Sequence, residues 1–215
     1  MAAVLFDVFL PEVLVDVLLC PEPVATNAIR NAAIEFCERT RAYKADLTPI
    51  TVTLATATYA FAGMPTETVV HEILEATIGD QVVDPVGPDD LRELYGADWR
   101  TKTGPTPLYV TQDDERNVRV VPIPTATLTD TLKVFAALKP THNATGIESR
   151  IYEENKTIIA AGAKGKLLMV PKQPYTNQPL GVFYLEQFEI AASSRAIRAS
   201  RGFTRAKLRS RPVFR

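Results

Sequence analysis

The sequence predicts an α+β protein: a helical bundle drawn from both termini, an inserted small antiparallel β-rich domain, and an extended basic C-terminal helix or arm. Apolar residues recur at helical spacing in both terminal parts, the middle is rich in Thr, Val, Ile and proline, and positive charge gathers at one end. A chain of 215 residues, 46% apolar and 23% charged, is neither disordered nor fibrous and suits one core with an insertion. The predicted divisions are 1–45 for the N-terminal helices of the bundle, 46–140 for the β-rich insertion, 141–194 for the C-terminal helices and 195–215 for the basic arm.

The first twenty residues mix apolar clusters with Asp7, Glu12 and Asp16, and Pro11 suits only a helix start, so two short helices are predicted there. From Val24 to about Tyr43 a helix follows, because Ala25, Ile29, Ala32, Phe36 and Tyr43 recur at its period while Arg30, Glu38 and Arg41 fall elsewhere. Leu47 to Phe61 then reads as strands, Thr51 to Leu54 among them. Further strands are predicted at Thr68 to Ala76, Leu108 to Gln112, Asn117 to Val121 and Thr131 to Leu138, with Asp113, Asp114 and Glu115 as a hairpin turn. Pro88, Asp89 and Asp90 mark a short helix start ahead of Leu91, Leu94 and Tyr95.

Helix returns after Pro140. Ile147, Ile151, Ile158 and Gly162 share one face, and the small run Ala160 to Ala163 invites a second helix close to the backbone. From Leu180 a long helix carries Leu185, Phe188, Ala192, Ala196, Ala199 and Phe203, ending before Pro212. Burying four such stripes is simplest in a bundle from which the β domain emerges.

Catalytic motifs fail one by one. His71 and Glu72 open a metalloprotease fragment, but its second histidine would fall at Glu75, and the alternation from Val69 to Ala76 reads as a strand with a polar solvent face. His142 is the only other histidine. Gly162 to Leu167 lacks both the leading glycine and the hydroxyl of a phosphate loop, with Ala160 and Leu167 in those places. Asp89/Asp90 and Asp113/Asp114 fit a helix start and a turn. Asn143-Ala144-Thr145 and Asn155-Lys156-Thr157 match a glycosylation sequon by chance, and Cys20 and Cys37 read as buried free thiols. No enzyme, cofactor or metal site is predicted, and no membrane span or secretory leader.

The net charge of −1 conceals a strong asymmetry. No acid follows Glu189, whereas Arg195, Arg198, Arg201, Arg205, Lys207, Arg209, Arg211 and Arg215 are all basic. The remainder holds 16 basic and 25 acidic residues, a net of −9. Arginine outnumbers lysine in the tail, which suits bidentate pairing with carboxylates or phosphates. Nucleic-acid stacking would want more aromatics than Phe203 and Phe214, so an acidic protein surface is at least as good a target.

Phe9-Leu10-Pro11-Glu12-Val13, Cys20-Pro21-Glu22-Pro23-Val24-Ala25 and the run Ala28 to Thr40 resemble the opening of head-to-tail adaptor (connector) proteins of tailed bacteriophages. Gly104-Pro105 leading to Tyr109, Val121-Pro122-Ile123-Pro124, Ile159 to Lys164, Pro171 and Pro174-Tyr175-Thr176-Asn177 resemble later landmarks of that group, in the same order. The resemblance implies a structural virion protein in the neck between portal and tail, assembled in the host cytoplasm as a ring, generally of twelve copies. The ring would bind the portal protein on one side and tail tube or nozzle proteins on the other, with DNA passing through its lumen without specific binding. It also implies that the C-terminal segment clamps the portal, which would give Arg195, Arg198, Arg201, Phe203, Arg205, Lys207, Arg209, Arg211, Phe214 and Arg215 an acidic target. An acidic lumen would keep phosphate from gripping the channel during ejection. The competing readings are a tail-completion or other neck protein, a nucleic-acid-binding packaging accessory, and a hydrolase whose site leaves no motif.

Overall fold

The computed structural model describes residues 3–201, which fold as two compact units: residues 3–43 with residues 142–201, and residues 44–141 between them in the chain. Helices and strands both contribute substantially, so the class is α+β.

The chain begins with β1 (Ala3–Leu5), a 3-10 turn at Phe6–Phe9 and α1 (Leu10–Leu14). The two short helices predicted here are thus one strand, one 3-10 turn and one helix of barely more than a turn. Pro11 sits in the first turn of α1 as its missing N–H requires, but the strand depends on a partner distant in sequence. α2 (Glu22–Thr40) buries Ala25, Ile29, Ala32 and Phe36, the stripe that predicts it. It ends earlier than Tyr43, because Arg41 turns into the left-handed region at φ 50° and donates its N–H to the Cys37 carbonyl at 2.9 Å.

The middle unit contains β2 (Lys44–Asp46), β3 (Ile50–Thr51), β4 (Thr58–Ala60), β5 (Thr68–Ile78), β6 (Gln81–Val82), β7 (Asp84–Pro85), α3 (Pro88–Tyr95), β8 (Thr103–Gly104), β9 (Tyr109–Asp114), β10 (Asn117–Val121), β11 (Ile123–Pro124) and β12 (Thr131–Pro140). One sheet runs β2-β12-β5-β6 with β3 also on β12, and a second runs β4-β10-β9-β7. The strand expected at Thr51 to Leu54 shrinks to β3. The chain leaves β12 after Thr51, and Leu54 is exposed, so β propensity alone does not sustain pairing there.

Pairing is antiparallel except for β7 with β9 and β8 with β11. These two corrections to the antiparallel expectation have a topological cause: α3 lies between β7 and β9, and the β9-β10 hairpin lies between β8 and β11, supplying the crossovers that parallel neighbours need. The hairpin turn is tighter than predicted, since Asp113 and Asp114 belong to β9 and only Glu115 and Arg116 turn. β5 does not alternate as its sequence suggests. The register skips Leu74 between Glu75 and Ile73, and His71 between Glu72 and Val70, so Val69 and Val70 are both buried.

α3 starts with Pro88 in its first turn and stops at Gly96, whose φ of +81° follows a bond from its N–H to the Arg92 carbonyl. Leu91 packs there with Trp99 and Val121, walled by Val86, Tyr95 and Tyr109. The Arg100 guanidinium lies 4.4 Å from the Trp99 ring centroid.

The outer unit resumes with β13 (Gly146–Glu148), antiparallel to β1, then α4 (Ser149–Leu168) and α5 (Gln178–Arg201). α2, α4 and α5 pack against one another, and α1 packs on α2 and α4. On α4 the buried face comprises Ile151, Asn155, Ile159, Gly162 and Ala163. Ile158, placed on that face by its spacing, is half-buried, and Ile147 belongs to β13 instead.

Candidate docking surface on the C-terminal helices

α5 opens where Asn177 Oδ1 accepts the Leu180 N–H at 3.3 Å, with Pro179 in the first turn. It then lies close on α4 because two glycines leave room. A Cβ on Gly162 would stand 2.8 Å from Phe188 Cδ2, and one on Gly165 would stand 2.7 Å from Leu185 Cγ. This is the approach that the small-residue run predicts. Phe188 and Ala192 are buried, and Leu185 is half-buried.

Ion pairs border this packed seam. Arg39 of α2 bonds both Glu35, at 2.6 Å, and Glu189 of α5, with its guanidinium 5.8 Å from the Phe188 ring centroid. Lys166 reaches Glu35 at 2.6 Å, tying α4 to the same group. Farther along, Asp16 accepts from Lys164 Nζ at 2.6 Å and from the Tyr184 hydroxyl at 2.9 Å. The Lys164 hydrogen bond, outweighing desolvation and aided by Tyr184, holds the Asp16 carboxyl below its ordinary 3.8.

A depressed carboxylate stabilises the fold above its unfolded pKa, and that stabilisation is lost as pH falls through the folded value. Asp16→Asn is therefore expected to cost about 1 kcal/mol at neutral pH, with the gap to the native chain closing as pH drops below 3.8. Urea denaturation at neutral pH and at about pH 2 reads this; an equal gap at both would contradict the ion-pair account.

The predicted docking arginines divide. Arg195 is engaged within its own molecule: Nη2 donates to the Glu154 carbonyl at 2.7 Å, and Nη1 lies 3.8 Å from Glu154 Oε2. Arg198 follows one turn later, and Arg201 is the last described residue of α5. Phe203, Arg205, Lys207, Arg209, Arg211, Phe214 and Arg215 lie outside the described residues.

The sequence reading misses a second apolar line on α5. Phe183, Ile190 and Ile197 recur every seven residues, on the side of the helix opposite Phe188 and Ala192. They are 50%, 73% and 51% exposed. Their spacing is legible in the sequence, but Phe183 and Ile197 are masked by the stronger internal stripe. Beside Ile190 an open groove of about 480 Å³ runs between α4 and α5, bordered by Ile158, Ala161, Gln187, Ala191 and Ser194.

The groups weighed for catalysis have other partners or separate places. His71 occupies a bulge of β5, whereas His142 follows β12. Asp89 pairs with Arg92 at 2.8 Å, and Asp113 with Arg119 at 3.0 Å. Asp114 accepts from the Arg116 N–H and from Asn117 Nδ2, and the latter bond leads in lowering its pKa. Burial raises the thiol pKa values of Cys37 and Cys20. Asn155, the centre of one chance sequon, is buried and donates to the Ile151 carbonyl at 3.0 Å. Among the described residues, no three His, Cys, Asp or Glu side chains gather as a metal site.

The outward side of α5 is thus apolar at Phe183, Ile190 and Ile197, and Arg195 and Arg198 lie in its last turns. Residues 11–206 match the SU10 adaptor protein family, and no curated protein matches the chain. The chain belongs to the SU10 adaptor protein family, a phage adaptor family whose role in the virion is structural.

Proposed function

We propose that the chain forms a ring, generally of twelve copies, that joins the portal to the tail at the virion neck and continues the DNA channel. α1, α2, α4 and α5 serve as the helical bundle of each subunit, and the β-rich unit faces the tail tube or nozzle proteins. The basic C-terminal segment is the portal clamp. The observation that carries this reading is the run of eight basic and no acidic residues after Glu189, on a chain whose remainder is −9. Arg195 anchors the base of the clamp to α4, leaving Arg201 to Arg215 as the segment that reaches the portal. The acidic remainder weakens adhesion of passing DNA to the lumen.

The test is co-purification with a portal ring after nuclease treatment, comparing the full chain with one lacking residues 202–215. The deletion is expected to abolish co-purification while leaving the cooperative urea unfolding of the remaining chain in place. Undiminished portal binding would overturn the clamp. Salt-dependent DNA retention lost on the same deletion, without portal binding by the full chain, would instead indicate a packaging accessory.

A further inference from the structure

We propose that, in a chain not engaged with a portal, its own C-terminal segment returns along α5 and covers the outward line of Phe183, Ile190 and Ile197 with the groove beside it. The inner side of α5 is already filled by α2 and α4, so this line is a second apolar stripe on the same helix. Its surroundings ask for an uncharged occupant. Ile190, the centre of the line, is exposed, and the groove of about 480 Å³ is edged by Thr157, Ile158, Ala161, Gln187, Ala191 and Ser194, none of them ionisable. Ala161, Ala191 and Ser194 are small and leave depth for a larger side chain between α4 and α5. Aligned apolar residues beside a recess mark a contact surface, unlike scattered exposed aliphatics.

Length and sequence pattern select the occupant. Fourteen residues, 202–215, follow the last described residue of α5, and the first of them is Gly202, the residue type that lets a chain turn back from a helix end. From Arg201 back to Phe183 is about 27 Å of helix, whereas fourteen extended residues reach about 46 Å. The segment is therefore long enough to span the whole line of its own molecule. Its residues also alternate: Arg205, Lys207, Arg209 and Arg211 take one parity, and Thr204, Ala206, Leu208 and Ser210 take the other. On a helix those four bases would divide between opposite sides, but in an extended chain they share one. The other side is uncharged over about 20 Å, against about 21 Å from Phe183 to Ile197. Leu208 is the large apolar side chain on that side and fills the recess beside Ile190. The bases then face water, so the groove needs no counter-charge, and Arg195 keeps its bonds to Glu154. A portal that draws the segment off uncovers α5, a step that rests on the clamp reading above.

The test places a photo-crosslinking phenylalanine derivative at position 190 of the full chain, purified without portal as an equal mixture of heavy-isotope-labelled and unlabelled protein. Mass spectrometry maps the products. The expected product joins position 190 to residues 203–214 of the same chain. Mixed-label products, which mean a second copy on the line, or no crosslink to the segment, overturn the fold-back. Leu208→Asp is expected to lower the same-chain product at least about tenfold, because it sets a charge into an uncharged recess. Arg209→Ala, on the opposite side of the extended segment, is expected to leave it within about twofold. Equal losses in the two variants overturn the proposed register. Adding portal rings is expected to deplete the same-chain product in proportion to the chain bound. Product that persists in portal-bound chain overturns the release step, whereas product from a chain that binds no portal keeps the fold-back and defeats the clamp reading instead.

Discussion

Phe188→Ala is expected to destabilise the outer unit by about 3–5 kcal/mol, the usual cost of truncating a fully buried aromatic ring. The ring is 1% exposed, and its Cδ2 marks the place where α5 comes nearest the Gly162 backbone. A methyl group there leaves a void facing Gly162, which has no side chain with which to fill it. The Arg39 guanidinium also loses the ring beneath it, while keeping its bonds to Glu35 and Glu189. Urea titration followed by far-ultraviolet circular dichroism measures the loss. A change under about 1 kcal/mol would mean that the α4-α5 seam is not close-packed at Phe188.

Trp99→Ala is expected to cost a similar 3–5 kcal/mol in the middle unit. Trp99 is 1% exposed, packs with Leu91 and Val121, and supports α3 through that cluster. Removing it takes away the largest side chain of that cluster and the aromatic face under Arg100. Because α3 also supplies the crossover between β7 and β9, amide exchange should rise in residues 84–95 before it rises in β5 or β12. Equal acceleration across both sheets would show that the cluster is not a local support.

The parts of this fold that the sequence reveals are those fixed by neighbours in the chain. α2 follows from Ala25, Ile29, Ala32 and Phe36, and α3 from Pro88, Asp89 and Asp90, because periodicity and helix-start chemistry act over a few residues. The β9-β10 hairpin is similarly local. What escapes is decided at a distance. β1 exists because Gly146 to Glu148 pair with it, and no pattern in the first five residues announces that partner. The bulges at His71 and Leu74 are set by the register against β12. On α4 the consecutive apolar residues Ile158 to Ala161 satisfy more than one helical phase, so packing against α2 and α5 chooses Ile159 over Ile158. The basic segment is legible as charge alone, since composition states its sign and density but not its path.

The pairing of β2 with β12 governs how a 98-residue excursion can sit inside another folding unit. Lys44, at its start, stands opposite Ala137, four positions before its end, so folding the insert brings the severed halves of the outer unit back within reach of each other. An unfolded excursion would make every contact between α2 and α4 a long-loop closure, with an entropic penalty that grows as the logarithm of the span. Once the insert has folded, that span becomes in effect a short tether. The sheet thereby acts as a splint, and maturation of the helical part should follow it in time.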